Sequence, residues 1–401
     1  MNARSDYANI EVAINWKSDE ADHAEHHHYQ GINFWRDFFP GMLAEKLANA
    51  PDGEWVSETF AAGELVEPYS GSNLIKVSKH RIMPIGKAKI VVTPYKGRFF
   101  PRSILAGTAG ILQSQLQPLR VTDVDEDSIQ VDLNHPLAQH EVEVSIRVIG
   151  DRYIGKEERG GRCNDVVYEF MHAGPGMQAT VNGGTDFYAP QGFERVDEAP
   201  DEHFYQADRL IGHIDREASA QLAGYYSDHL KSGMKVLDFM ASWQSHLPDI
   251  DDLHVTGLGM NAHEMQENPQ IDQHVVQDVN QNPVLPFDDG QFDAVICNLS
   301  VEYLTDPLTV FRELARITRK GGQIHMAVSD RWFPPKAIIL WSELHPFERL
   351  GLVLDYFLRT DGLTDLRTFT LQGLLRPEDD KHANQRLYSD PLFIVQATVN
   401  H

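Results

Sequence analysis

The sequence predicts an α/β fold and an α+β fold in one chain, with a doubly wound parallel sheet in residues 231–401 and a mainly-β domain in residues 1–150. Three observations predict this division. Apolar runs of strand length alternate with helical patterns after residue 231, strand-like runs with short turns dominate residues 1–150, and residues 151–230 are rich in glycine, proline and aromatic side chains. We expect this middle segment to be a packed connector or cap, because a flexible linker would not carry so many apolar side chains.

The parallel sheet is predicted from apolar runs separated by helical patterns. The runs cover residues 235–239, 254–258, 274–278, 292–296 and 323–328. A helix at 307–318 has apolar side chains at helical spacing, and the Lys-Gly-Gly sequence at 320–322 is typical of a helix stop. A long helical stretch at 336–360 and two late strands at 365–371 and 392–399 follow. Open parallel sheets bind ligands outside the carboxyl ends of their strands, so the site is expected there.

Composition and charge exclude several kinds of partner. The 59 acidic residues against 35 basic ones give a net charge of −24, which repels phosphate backbones and anionic lipid. No apolar stretch approaches the roughly 20 residues that cross a bilayer, and the first residues lack a basic segment followed by an apolar one. We expect a cytoplasmic protein with no nucleic-acid or membrane partner, whose cysteines, Cys163 and Cys297, are reduced thiols.

The loop after the first strand of the sheet carries neither common nucleotide signature. Residues 239–248 read Phe-Met-Ala-Ser-Trp-Gln-Ser-His-Leu-Pro, so the glycines of a dinucleotide fingerprint and of a phosphate-binding loop are both missing. Other motifs follow in order: Val-Leu-Asp at 236–238, Val-Thr-Gly-Leu at 255–258, Gln277-Asp278, Leu-Pro-Phe-Asp-Asp-Gly-Gln-Phe-Asp-Ala-Val at 285–295 and Arg-Lys-Gly-Gly at 319–322. Together they resemble a class I S-adenosylmethionine-dependent methyltransferase, similar to methyltransferase type 11 with a variant first motif.

This resemblance implies a Rossmann-like sheet, S-adenosylmethionine as the cofactor and S-adenosylhomocysteine as its product. Asp238 would anchor the methionine part, and Asp278 would accept from the adenine amine with Val279 beside the ring. A helix N-cap is the alternative role of Asp278. The cofactor-binding residues that the resemblance implies are Tyr205, Arg209, Asp238, Met240, Ser242, Trp243, Gly259, Met260, Asn261, Asp278, Val279 and Asn298.

Two positions depart from the family pattern. Residues 240–248 are bulky and polar where the family has a glycine-rich loop, and Gly259 stands where the family has an acidic residue for the ribose. The hydroxyls of Ser242 or Ser245 and the amide of Asn261 are candidates for the missing contacts. The alternative is a degenerate domain that binds no cofactor.

The acceptor side is expected from the loops after the first and fourth strands of the sheet. Methyl transfer needs alignment and exclusion of water more than a catalytic triad, because the sulfonium is a good leaving group. We predict His246, Glu302 and Tyr303 as catalytic residues, with His246 either a base for the acceptor or a structural residue. The connector would supply residues of a lid over the cofactor, or the same residues would form structural hydrogen bonds between the domains. These are Tyr205, Arg209 and His213.

The first domain carries motifs of a second family. Residues 38–47, 51–54 and 62–69 are similar to the central part of FK506-binding-protein prolyl isomerases, and Val-Asp-Leu-Asn-His-Pro-Leu-Ala at 131–138 is similar to the signature of the SlyD type. The SlyD type has a chaperone flap between these motifs, a place that residues 72–118 occupy here. The resemblance therefore implies a SlyD-like domain of the FKBP type.

The aromatic cleft of such an isomerase is incomplete in this sequence. Ile14 and Val144 stand at two of its aromatic positions, which leaves Phe39 and Tyr69. We therefore predict methyl transfer to a small-molecule acceptor, with the FKBP-like domain as a docking or scaffold element. The alternative is a prolyl isomerase or peptide-binding chaperone that carries a degenerate methyltransferase domain. The sequence does not identify the acceptor or an oligomeric state.

Two charged clusters have competing explanations. The run His-Ala-Glu-His-His-His at 23–28 is a nickel, copper or zinc carrier or, more simply, a surface loop of solvated histidines, and we predict no metal site. Arg312, Arg316, Arg319 and Lys320 form a basic groove or, more simply, a helix C-terminus enriched in cations.

Overall fold

The computed structural model describes residues 6–85, 89, 91–155 and 163–401. They belong to two units: one comprises Met1–Ser18, His27–Ala189 and Phe347–Gly351, the other Asp19–His26, Pro190–Pro346 and Leu352–His401. The predictions for residues 1–5 and for residues 158–162 of the connector lie outside the described residues. Among the described helices, none has the length and apolar character needed to cross a membrane.

The first unit contains two sheets. Its elements are β1 (Asp6–Lys17), β2 (Asp22–Asn33, of which residues 27–33 belong to this unit), α1 (Leu43–Asn49), β3 (Val56–Phe60), β4 (Leu74–Ser78), β5 (Phe99–Pro101), β6 (Pro118–Val124), β7 (Ser128–Asp132), β8 (Val142–Ile154) and α2 (Val166–Met171). One sheet has the order β2-β1-β8-β3. Ile10, Val12 and Ile14 of β1 are fully buried in its core. Glu11 and Ala13, which alternate with them, are also buried, so both faces of this strand are covered.

The second sheet of this unit has the order β4-β7-β6-β5, with every pair antiparallel. It has a core of its own, which includes Val77, Leu119, Val121, Ile129 and Val131. The sheet begins within the flap expected at residues 72–118 and continues beyond it to the end of β7.

The second unit is built on the predicted kind of sheet. Its elements are α3 (Asp201–Tyr205), α4 (Arg216–Ser227), β9 (Lys235–Phe239), β10 (His254–Gly259), α5 (Ala262–Gln266), β11 (Gln273–Val276), β12 (Phe292–Asn298), α6 (Pro307–Ile317), β13 (Thr318–Val328), α7 (Ile339–Glu343), α8 (Pro346–Leu358, of which residues 347–351 belong to the first unit), β14 (Leu363–Gln372) and β15 (Leu392–Val399). The order is β11-β10-β9-β12-β13-β15-β14. The first five strands are parallel and β15 is antiparallel to both of its neighbours. The Rossmann-like prediction is confirmed for this mixed sheet, whose strand order reverses between β9 and β12.

Two predicted helix ends are wrong. Helix α6 ends at Ile317, and the glycines expected to stop it lie inside β13, where Gly321 has a φ of +75° and the pairing with β12 shifts in register. They form an irregularity of the strand that glycine permits. The stretch at 336–360 is two helices, because Leu344 is extended and the residue before Pro346 is disfavoured in a helix.

The histidine run is part of a strand, so the surface-loop explanation is wrong. His23 and Glu25 lie in β2 and are almost fully buried. Nδ1 of His23 lies 2.7 Å from Oγ1 of Thr368 in β14. The described residues contain no group of three or more His, Cys, Asp or Glu side chains that could hold a metal ion.

Candidate functional site

A cavity in the second unit lies at the carboxyl ends of β9, β10, β11 and β12. Its empty volume is about 930 Å³, including space open to solvent. All but two of the predicted site residues line it, together with the expected lid residue His213. These are Tyr205, Arg209, Asp238, Met240, Ser242, His246, Gly259, Met260, Asn261, Asp278, Val279, Asn298 and Tyr303. The sheet thus brings side chains from distant parts of the sequence to one place.

Trp243 and Glu302 do not line the cavity. The indole N–H of Trp243 donates to the carbonyl of Ile211 at 2.9 Å, so this side chain ties the loop after β9 to the segment before α4. Glu302 lies in a 3-10 turn after β12 and is only 1% exposed. Its place after the strand was predicted correctly, but its side chain does not line the cavity with that of Tyr303.

The loop after β9 is held without glycine. Met240 and His246 have φ angles of +58° and +54°, a left-handed conformation that costs about 1–2 kcal/mol for each residue with a β-carbon. The backbone N–H of Ala241 donates to the Leu258 carbonyl at 2.7 Å. Asn298 donates to the Ser245 carbonyl at 2.9 Å. The ends of β10 and β12 therefore fix this loop.

Asp238, at the end of β9, is a buried carboxyl that lines the cavity. Burial raises its pKa from 3.8 to about 7, against a hydrogen bond from the Ser245 hydroxyl that lowers it. Ser245 in turn accepts from Nδ2 of Asn268 at 2.9 Å. Within the described structure, Oδ2 of Asp238 has no hydrogen-bond partner. A buried oxygen without a donor costs free energy unless a ligand supplies one.

Gly259, at the end of β10, has no room for a side chain. A β-carbon built on it would lie 2.2 Å from the carbonyl oxygen of Ala241 and 3.2 Å from Sδ of Met265. The first contact is with backbone, so it cannot be relieved by a side-chain rotation. The departure from an acidic residue at this position therefore follows from the path of the loop after β9.

Glu264, on α5, is the acidic side chain that the structure places nearby. It is 7% exposed and lines the cavity. Its Oε2 accepts from the Ser242 hydroxyl at 2.7 Å, and its Oε1 accepts from the backbone N–H of Arg209 at 2.6 Å. Asn261 is the N-cap of α5 and accepts from the Glu264 N–H at 3.1 Å. An Asn followed three residues later by Glu is a helix-start signal that could have drawn attention to this residue.

Asp278, after β11, caps its own turn. Its Oδ1 accepts from the backbone N–H groups of Asn280 and Gln281 at 2.9 and 3.2 Å, and its Oδ2 accepts from the Gln281 side chain at 2.8 Å. No helix begins there, so the cap is that of a turn. Val279 is 4% exposed and lines the cavity beside it.

Asp201, which the sequence analysis missed, is a paired carboxylate in the cavity wall. Arg195 lies 2.7 Å from it and Nζ of the fully buried Lys336 lies 3.1 Å away. Burial opposes ionisation of Asp201, but hydrogen bonds from Arg195, Asn280 and Lys336 hold its pKa below the ordinary value. Arg195 is six residues away in the sequence, whereas Asn280 and Lys336 come from distant segments, and no local pattern connects these with Asp201.

Arg209 lies among aromatic rings. Its guanidinium carbon is 4.2 Å from the ring centre of Phe204, 6.0 Å from that of Tyr205 and 5.4 Å from that of Phe333. Such contacts stabilise a cation by about 0.5–2 kcal/mol. The connector therefore covers part of the cavity wall, as expected of a lid, with Phe333 from the loop after β13.

His246 and Tyr303 line the cavity with altered acidities. Burial, and the neighbouring His213, lower the pKa of His246 to about 4, and its Nδ1 lies 2.8 Å from the Ser219 hydroxyl. His246 is therefore neutral and weakly basic at pH 7. Burial raises the pKa of Tyr303 well above its ordinary value, and its hydroxyl accepts from the Phe333 N–H at 2.9 Å.

Comparison with known families identifies the centre of this site. Residues 244–326 match the family model described as a methyltransferase domain. This segment is a methyltransferase domain. Its cofactor is S-adenosylmethionine, as the sequence motifs implied. The match covers about a fifth of the chain and does not extend to the SlyD-like resemblance, which stays a prediction. The sequence has no match among curated proteins.

Several solved structures are similar to the methyltransferase part. A SAM-dependent methyltransferase from Archaeoglobus fulgidus has 14% identity and a TM-score of 0.32, over 46% of this chain and 94% of the other. A complex of the Haloferax volcanii Trm112 methyltransferase activator has 17% identity and a TM-score of 0.32, over 46% and 92%. The cyclase SpnF has 14% identity and a TM-score of 0.31, over 48% and 89%. At these TM-scores the likenesses carry no information on activity.

The residues present fit S-adenosylmethionine. Four carboxyl groups line the described cavity, from Asp201, Asp238, Glu264 and Asp278, against one Arg or Lys side chain, Arg209. That balance favours a ligand with an ammonium and a sulfonium group. Oδ2 of Asp238 lacks a donor among the described residues, which an ammonium supplies. The cavity therefore offers a carboxylate acceptor for the ammonium group of this cofactor.

Proposed function

We propose that this protein transfers a methyl group to a small-molecule acceptor in the cavity at the carboxyl ends of β9, β10 and β12. The observation that carries this proposal is the buried carboxyl of Asp238, whose Oδ2 has no hydrogen-bond donor among the described residues. This carboxyl lines the same cavity as most of the predicted site residues. S-adenosylmethionine, when bound, supplies the methyl group on a sulfonium that leaves as a neutral thioether.

The cofactor side would be held by the ends of β9 and β11, together with Arg209 from the segment before α4. Asp238 binds the ammonium of the methionine part, and Val279 packs on the adenine beside the turn that Asp278 caps. Arg209 lies in a frame of aromatic rings and offers a cation for a carboxylate. Met240 and Ser242 line the wall between these groups. The binding residues thus come from loops that the sheet itself positions.

The acceptor side would be formed by His246, Tyr303 and Phe333. His246 is neutral at pH 7 because burial lowers its pKa to about 4, so it orients an acceptor by hydrogen bonding better than it removes a proton. The aromatic rings of Tyr303 and Phe333 exclude water from the reacting atoms. A wall of this kind, in a protein of net charge −24, favours a small neutral or cationic acceptor.

The N-terminal unit is proposed as a SlyD-like docking or scaffold element. Ile14 and Val144, which stand at aromatic positions of the isomerase cleft, are register partners across β1 and β8 and are fully buried. Their side chains belong to the core of the unit, so no cleft can form from them. Tyr69 is 39% exposed, and Phe39 is partly buried against the same core. This arrangement favours docking over catalysis.

Calorimetric titration with S-adenosylhomocysteine tests the proposal. We expect the wild-type chain to bind and Asp238→Asn to bind at least about tenfold more weakly, because one hydrogen bond to a charged group contributes about 1.5–3 kcal/mol. Asp251→Asn is the matched control, since this residue is exposed and lies in the segment between β9 and β10. Absence of binding at millimolar S-adenosylhomocysteine would overturn the proposed function.

A further inference from the structure

We propose that Glu264 is the carboxylate that accepts the ribose hydroxyls of the cofactor, and that it does so from helix α5 because the end of β10 has no space for an acidic side chain. The assignment rests on the proposed function and adds to it the residue that selects the sugar. Two vicinal hydroxyls are donors that a carboxylate can bind with both of its oxygens.

The path of the backbone excludes the end of β10 as the source of this carboxylate. A β-carbon at Gly259 would meet the Ala241 carbonyl oxygen at 2.2 Å. That carbonyl is fixed because the N–H of Ala241 donates to the Leu258 carbonyl at 2.7 Å. Any side chain at position 259 would have to displace the loop after β9, so the acidic group must come from another element.

Elimination among the cavity carboxyls favours Glu264. Asp201 is already paired with Arg195 and Lys336. Asp278 uses both oxygens to cap its own turn. Asp238 lies at the end of β9, where it accepts from Ser245. Oδ2 of Asp238 is free, and the proposed function assigns it to the ammonium. Of the other three carboxyl groups, Glu264 has no fixed cation and accepts only one hydrogen bond on each of its two oxygens.

The surroundings of Glu264 direct both of its oxygens. Each oxygen accepts one hydrogen bond, from the Ser242 hydroxyl at 2.7 Å and from the Arg209 N–H at 2.6 Å. A carboxylate oxygen can accept two hydrogen bonds, so each retains one position for a ligand hydroxyl. No Lys, Arg or His nitrogen of the described residues lies within ion-pair distance of it. A buried carboxylate of this kind gains by accepting from a neutral donor.

The test compares two probes on two proteins. Dissociation constants of S-adenosylhomocysteine and of its 2′,3′-dideoxy analogue are measured by calorimetry for the wild type and for Glu264→Gln. We expect the wild type to prefer the ribose form by at least tenfold, and Glu264→Gln to lose most of that preference while its affinity for the dideoxy form changes less than threefold. Glu267→Gln, an exposed change at the end of the same helix, is the control and should keep the preference.

The outcomes separate this assignment from a purely structural role and from the proposed function. Equal weakening of both probes by Glu264→Gln would show that Glu264 only holds Ser242 and the Arg209 backbone, and would overturn the assignment. An unchanged preference would overturn it as well. If the wild type binds neither probe, the proposed function fails and the assignment with it. Thermal unfolding of both variants, expected within a few degrees of the wild type, checks that they are folded.

Discussion

The acidity of Asp238 predicts that cofactor binding depends on pH. Burial raises its pKa to about 7, while an ammonium beside it favours the ionised form. If only the carboxylate form binds, the apparent Kd rises about tenfold for each pH unit below about 7 and levels off above it. Between pH 8.5 and pH 5.5 this amounts to roughly thirtyfold, or about 2 kcal/mol.

Calorimetry with S-adenosylhomocysteine measures this directly. Titrations at several pH values give the slope of log Kd against pH. Titrations at pH 7 in two buffers of different ionisation enthalpy should show that about half a proton is released per molecule bound. Burial lowers the pKa of His246 and of His213, so neither imidazole accounts for a transition near pH 7. Asp238→Asn should bind weakly with no transition. A Kd that is constant from pH 5.5 to 8.5 in the wild type would refute the reasoning.

The same group predicts the opposite effect on stability. Folding buries Asp238 and raises its pKa from 3.8 to about 7. Ionisation of this group therefore favours the unfolded chain. The contribution of this group to the free energy of unfolding is therefore largest below about pH 4 and falls as the pH rises to about 7, by on the order of 4 kcal/mol. In urea unfolding, Asp238→Asn should be more stable than the wild type at pH 8 and equal to it at pH 4. Equal stability at both pH values would contradict a buried, strained carboxyl.

Two further substitutions test the geometry of the loop after β9. Gly259→Ala should lower the midpoint of thermal unfolding and weaken S-adenosylhomocysteine binding, since its β-carbon meets the backbone carbonyl of Ala241. Gly257→Ala is the milder control, because its β-carbon first meets the side chain of Ile271, which can move. Equal effects of the two substitutions would contradict this account. Trp243→Phe removes the hydrogen bond from the indole N–H to the Ile211 carbonyl. It should therefore lower the free energy of unfolding by about 1 kcal/mol and change S-adenosylhomocysteine affinity less than threefold. A large loss of affinity would instead show that Trp243 contacts the ligand.

Local sequence patterns were sufficient for most of the second unit. Apolar runs predicted β9 and β15 at the residues where they occur, because strands that are buried on both faces leave a continuous apolar signal. The same reasoning failed at Gly321, where a strand irregularity has the same residue type as a helix stop. Position along the chain placed Trp243 and Glu302 near the site but could not give the direction of their side chains, which depends on loop dihedral angles.

Long-range contacts were outside the reach of sequence reasoning. Asp201 and Lys336 form an ion pair across more than a hundred residues, and no periodicity relates them. The family pattern pointed to the end of β10 and therefore not to Glu264. This side chain, which lines the cavity, belongs to α5, the helix that follows the strand. Tyr205 and Arg209, which line the cavity, were predicted only through the family resemblance, since their segment has no regular pattern of its own.

The left-handed residues of the loop after β9 have a consequence for the entropy of binding. A glycine-rich loop samples many conformations and must give them up when a ligand closes on it, whereas Met240 and His246, at φ of +58° and +54°, are ordered when the chain folds. The conformational entropy of this loop is therefore lost when the chain folds and not when a ligand binds. Such a loop exchanges adaptability for preorganisation, and ligands that need it to move should be discriminated against more strongly than in a glycine-rich homologue.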